Sequence, residues 1–158
     1  VSGRSSRLPD NLDNPTKEIP MTDKPVSIYD AFGTDEDLET NGVWVDWGDL
    51  GKFKIAAVRN PRHQKAIEKY NVPFKSFIQS GRPVPQDKQE EITNKALAEA
   101  VLVDWSGLKD RDGTDLPYSF ENAYRLLTDL KRFRLQVIAV AMEAETFRQE
   151  AVQEAAGN

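Results

Sequence analysis

The residues able to do chemistry are few and scattered. The chain of 158 residues has one histidine, His63, and no cysteine. His63 stands among Arg59, Arg62 and Lys65 near a helix start, where a capping or exposed position is the expectation. A general base needs a partner that orients it, and the sequence supplies none. Without thiols or a pair of histidines, neither a disulfide nor a zinc cluster can be built. Asp35, Asp37 and Glu39 alternate as in a calcium loop, but the loop glycine and distal glutamate are missing. Ser119 lacks a nucleophile elbow and reads as a helix cap. Glu143, Glu145 and Glu150 form no Glu-x-x-His pattern and read as a solvated face. No Walker or dinucleotide fingerprint occurs. The reading is a protein without catalytic, metal or cofactor sites, which works by contacting other proteins.

The remaining chemistry is charge and aromatic surface. Residues 27–50 hold seven acids and no Lys or Arg, whereas residues 59–82 hold six basic residues and Glu68 as the one acid. The two segments are complementary and could pair within one molecule or between copies. The basic stretch also keeps open a nucleic-acid-binding regulator, although a net charge of -5 disfavours broad nucleic-acid binding. Trp44, Trp47 and Trp105 are large for a small chain. Trp47 and Trp105 are expected in the core. Trp44, opposed to Val43, Val45 and Trp47 by strand alternation, is the expected exposed anchor. Arg62, Lys65, Phe74, Phe77 and Phe133 complete the partner-binding candidates, and Ser119 and Leu126 the structural ones.

The elements follow from periodicity. Residues 43–58 alternate around Asp49-Leu50-Gly51, which predicts a β-hairpin whose edge a third strand or a neighbour could extend. Asn60-Pro61 starts a helix with Ala66, Ile67 and Tyr70 inward, which Pro73 interrupts or ends near Asn71. Phe74, Phe77 and Ile78 form a short second stripe, and residues 79–86 a linker. A capping-box pattern at Asp87 and Glu90 precedes a helix over 88–103, whose end is strand-like. A connector spans 104–118. One or two helices cover 119–154, with Thr128-Asp129 as a possible break and new cap. Ala123, Leu126, Leu127 and Leu130, then Phe133, Val137, Val140, Ala141, Ala144 and Phe147, face inward. The tail from Gln149 is polar and should fray. The fold class is α+β, mostly helical, with a small β-hairpin packed against a helical bundle. Residues 1–26, with four prolines, are expected to be a flexible extension to a single domain over 27–154. Met21-Thr22-Asp23-Lys24 reads like a native start. Residues 1–20 are then an expression remnant, an upstream extension, or a start from an alternative codon. No run of about 18 apolar residues exists to span a membrane.

Residues 42–130 resemble the tail assembly chaperones of long-tailed bacteriophages. The likeness rests on Gly42-Val43-Trp44-Val45-Asp46-Trp47, Phe53-Lys54-Ile55-Ala56 and Arg59-Asn60-Pro61-Arg62. It continues through Val101-Leu102-Val103-Asp104-Trp105-Ser106-Gly107-Leu108, Asp112-Gly113, Leu116-Pro117-Tyr118-Ser119 and Glu121-Asn122-Ala123. The resemblance implies a non-catalytic protein that binds the tape-measure protein, keeps it soluble and helps recruit tail-tube protein. It also implies action in the host cell cytoplasm, absence from the mature virion and, in many members, a longer frameshifted form. The polar N-terminal extension departs from this pattern and keeps a structural virion or head–tail connection protein as the alternative. A homo-oligomer is a further expectation.

Overall fold

Residues 26–148 are described in the computed structural model. The expected flexible extension lies outside the described residues, Val26 aside, as does the expected fraying tail. The chain divides into two units, Val1–Ala31 and Phe32–Asn158. The described part of the first carries most of a one-turn helix, α1 (Ile28–Phe32), which buries none of its residues.

The second unit is helical around a small sheet. Asp35 caps α2 (Glu36–Asn41) by accepting the Asp37 and Leu38 amides, and Gly42 at φ 92° ends it. Strands β1 (Val43–Asp46) and β2 (Lys52–Ile55) form the predicted hairpin, pairing Val43 with Ile55 and Val45 with Phe53. Period-two alternation turns Phe53 and Ile55 into the core and Lys52 and Lys54 outward. Gly51 closes the turn at φ 127°, and a Cβ there would lie 2.7 Å from the Ser106 carbonyl oxygen. Only glycine fits that approach.

Asn60 caps α3 (Pro61–Asn71) by accepting the His63 amide, with Pro61 at the first turn. A 3₁₀ turn over Val72–Phe74 leads into α4 (Lys75–Gln79). Helix α5 (Gln86–Ala100) starts and stops earlier than expected. The Asp87–Glu90 capping box is absent. Pro85 occupies the cap position without a side-chain bond; its carbonyl accepts the Lys88 and Gln89 amides, and Glu90 instead meets Arg134 at 3.3 Å. Residues beyond Ala100 become β3 (Leu102–Ser106), antiparallel to β2, giving the order β1-β2-β3. The Val101-Leu102-Val103 run, with two β-branched valines, gains more from a sheet edge beside β2 than from one more helical turn. The expected connector over 104–118 therefore begins inside a strand.

Ser119 caps α6 (Phe120–Asp129), accepting the Asn122 amide at 3.0 Å. The 119–154 region breaks at Leu130 (φ -116°, ψ 84°) before α7 (Lys131–Met142). Thr128 and Asp129 remain in α6 and provide no new cap; the Thr128 hydroxyl accepts from Asn94 Nδ2. Leu130, expected on the buried stripe, is exposed because it sits at that break. A 3₁₀ turn (Ala144–Phe147) then buries Phe147 against Val43 and Ala57. The mostly helical α+β fold, with its hairpin packed on helices, is the architecture observed.

The core joins Phe53, Ile55, Leu97, Val101, Leu102, Trp105, Leu127 and Val137. Each such side chain contributes about 1.5–3 kcal/mol by leaving water. Phe53 is its aromatic hub, with ring centroids 4.7 Å from Trp47, 5.4 Å from Phe133 and 6.5 Å from Trp105. Trp105 also packs edge-on against Tyr118 at 5.0 Å and donates its indole N–H to the Leu116 carbonyl. Among the described residues, every buried side-chain nitrogen and oxygen has a hydrogen-bond partner.

Candidate functional site

The β2–α3 connector shows how His63 is used. Its residue is 8% exposed, so the expectation of an open position is corrected, while its capping role is met from inside the fold. The Arg59 amide donates to His63 Nδ1 at 2.8 Å, which leaves the neutral ring's proton on Nε2. Burial first, and the Arg59 charge second, lower its pKa below the usual 6.5. Arg59 itself sits at φ 65°, a conformation that side chains other than glycine rarely adopt. His63 holds its N–H and Gln64 Nε2 donates to its carbonyl at 2.6 Å. Asn60 Nδ2 donates to the Ala57 and Ala100 carbonyls, tying the connector to the end of α5. This knot positions α3 against α5.

The other chemical candidates have local roles. Asp35 and Ser119 cap helices. Glu143 and Glu145 are exposed, and Glu150 lies outside the described residues. Among the described residues, no three His, Cys, Asp or Glu side chains are grouped to hold a metal, and no helix is long and apolar enough to cross a membrane.

An open apolar groove of about 490 Å³ lies between α3, α4, α5 and α7. Val58, Ile67, Ile78, Val84, Ile92 and Ile138 line it, with His63 at its wall. That volume falls within the range of about 300–1,000 Å³ usual for binding clefts. Asn71 and Ile78 also border a second hollow, lined by Lys65, Glu68, Lys69 and Lys75. The groove thus has an apolar floor beside a basic rim. Lys69 is committed to Glu99, whose carboxylate accepts from Lys69 at 2.6 Å and from the Tyr70 hydroxyl at 2.7 Å. Tyr70's pKa is raised, by burial first and by Glu99 second. Lys65 and Lys75 are exposed and, among the described residues, make no ion pair.

The candidate residues fall in three places. Arg62 and Lys65 are exposed on α3, with Arg62 Nη2 at 3.5 Å from the Glu99 carbonyl oxygen. Phe74 and Phe77 follow, half-buried with centroids 6.5 Å apart, and the Arg82 guanidinium lies 4.7 Å over Phe77. Trp44 is 44% exposed on the outward face of the sheet, paired with Lys54 in edge strand β1. Phe133 packs against Trp47 and Phe53, away from both. Trp47, Trp105 and Leu126 all join or pack on the core. Val84 and Ile138, not among the residues expected from the sequence, also wall the groove. Val84, between two prolines, read as linker. Ile138 sits beside Val137 and widens the apolar face of α7, a signal that was present.

No curated protein and no solved structure matches this chain. A family described as YdaY prophage protein matches residues 58–158, a stretch that begins at the connector and takes in α3 through α7. With more than half its length matched, this phage-associated chain belongs to the YdaY prophage protein family.

Proposed function

We propose that this prophage protein is a non-catalytic tail assembly chaperone that binds the tape-measure protein and aids tail-tube assembly. The observation that carries the reading is Trp44. It stands on a short edge strand, 44% exposed, in an outward face otherwise made of Asp46, Lys52, Lys54, Asp104 and Ser106. A tryptophan in a polar ring is the arrangement of an interface anchor, with neighbours that exclude water once a partner arrives. The edge of β1, unpaired among the described residues, adds backbone groups that a client strand or loop can engage. The resemblance of residues 42–130 to tail assembly chaperones and the phage family support the same reading. Action in the host cytoplasm and absence from the mature virion belong to it. Many modest contacts along an elongated client would gain strength through multivalency.

Co-expression with the tape-measure protein of the same prophage is the test. A soluble complex on size-exclusion chromatography is expected, with the client insoluble when expressed alone. Failure to form any complex, together with recovery of the protein from purified particles, would instead establish a structural virion protein. A second reading, a nucleic-acid-binding regulator, is favoured by the exposed Arg62 and Lys65 on α3. It requires salt-dependent DNA or RNA binding that disappears when Arg62, Lys65 and Lys69 are neutralised.

A further inference from the structure

Besides Trp44, two apolar features lack a partner in the described structure. One is the groove between α3, α4, α5 and α7. The other is α1. Ser27 and Asp30 form a reciprocal cap at its start: the Asp30 amide donates to Ser27 Oγ at 2.9 Å, and the Ser27 amide to Asp30 Oδ2 at 3.4 Å. The local sequence therefore specifies a helical turn. Yet a five-residue helix has too few hydrogen bonds to persist in water without a surface to pack on. Ile28, Tyr29 and Phe32 fall on one face through their three- and four-residue spacings. They are 66%, 82% and 68% exposed. A capped helical turn with three large apolar side chains in solvent is built to be covered.

Charge indicates what covers it. The segment holding α1 and α2 is acidic, with Asp30, Asp35, Glu36, Asp37 and Glu39 and no basic residue between 27 and 50. The groove's rim is basic, and its Lys65 and Lys75 make no ion pair among the described residues. Opposite charge beside an apolar contact steers the encounter and fixes its orientation, while apolar burial supplies the affinity. We propose that α1 of one copy seats Ile28, Tyr29 and Phe32 in the groove of a second copy, with its acidic continuation along the Lys65–Lys75 rim. The contact is between copies of this chain and is independent of the client reading above, which uses Trp44.

The full chain has no cysteine, so single introduced thiols report the contact cleanly. Phe32→Cys and Ile78→Cys chains, each carrying one thiol and mixed under mild oxidation, should form a heterodimeric disulfide. Phe32→Cys mixed with Glu143→Cys on an exposed turn should give at least about tenfold less product, the scale set by losing a buried anchor. In light scattering, Phe32→Asp and Ile78→Asp chains should each self-associate about tenfold more weakly than the wild type. An equimolar mixture of the two should regain association, because one copy keeps an intact α1 and the other an intact groove. Both positions are exposed, so circular dichroism should not change. A wild-type chain that stays monomeric at high concentration overturns the proposal. So does equal crosslinking in both pairs, or a mixture no stronger than its parts. Loss of tape-measure binding in Ile78→Asp, with self-association intact, would give the groove to the client instead.

Discussion

Two groups of aromatic side chains in this molecule have similar chemistry and opposite uses. Trp47, Phe53, Phe133 and Trp105 converge from two strands, the turn between strands and α7, and Phe53 at their centre is fully enclosed. Phe74 and Phe77 meet only across one short segment, half-buried, with Arg82 over one ring. The first group draws on contacts far apart in sequence and fixes the fold. The second draws on neighbours and leaves Val72 and Ile78 exposed beside it. The apolar surface left at Val72 and Ile78 lies on this locally organised segment, outside the core that fixes the fold.

Breaking the inner group should have the largest effect. Phe53→Ala removes the hub and should cost about 3–5 kcal/mol of stability, read as a large fall in the urea midpoint. Phe53→Leu, closer in size, should recover a good part of that loss.

The polar knot beside the core comes next. Asn60→Ala leaves the buried Ala57 and Ala100 carbonyls without that side-chain donor and the His63 amide without its cap. A loss of about 2–3 kcal/mol is expected, together with loosening of α3 against α5 in hydrogen exchange. Ser119→Ala removes a cap at a less enclosed place and should cost about 1 kcal/mol.

His63 adds a pH dependence. Its folded pKa lies below 6.5 because burial and Arg59 disfavour the charged ring. None of the groove residues around it carries a carboxylate. Above pH 6.5 both folded and unfolded chains keep it neutral. As pH falls, the unfolded chain takes up the proton first, so stability present above 6.5 is lost as pH drops through the folded pKa. The urea midpoint of the wild type should therefore fall more between pH 8 and pH 5 than that of His63→Asn. Equal slopes would show that the ring titrates as it does in the unfolded chain. Smallest of all, Phe77→Ala should change stability by about 1 kcal/mol or less, because its ring is only half-covered.

Much of this arrangement was legible in the residues. Alternation gave the hairpin and the outward Trp44, and Asn60-Pro61 and Ser119 gave two helix starts with their caps. What stayed hidden depended on partners distant in the chain. Val101–Val103 fits a helix end or a strand equally well until β2 offers an edge beside it. Asp87 and Glu90 have the spacing of a capping box, but Pro85 and Arg134 claim the positions they would need. His63 looked open because its sequence neighbours are charged, whereas in the fold it lines a groove together with Ile67, Ile92 and Leu97. Phe133 sits on the expected face of α7, yet only the hairpin's rings show that it completes the aromatic cluster. The groove draws on four separate elements and has no local signature.

Whether Trp44 serves a partner or the fold is decided by one paired measurement. Wild-type and Trp44→Ala chains are each co-expressed with the tape-measure protein, and co-elution is recorded alongside circular dichroism of each chain alone. The expected result is unchanged helical content with the co-eluting fraction reduced about tenfold or more. Undiminished co-elution, or a Trp44→Ala chain that loses its helices, would contradict it.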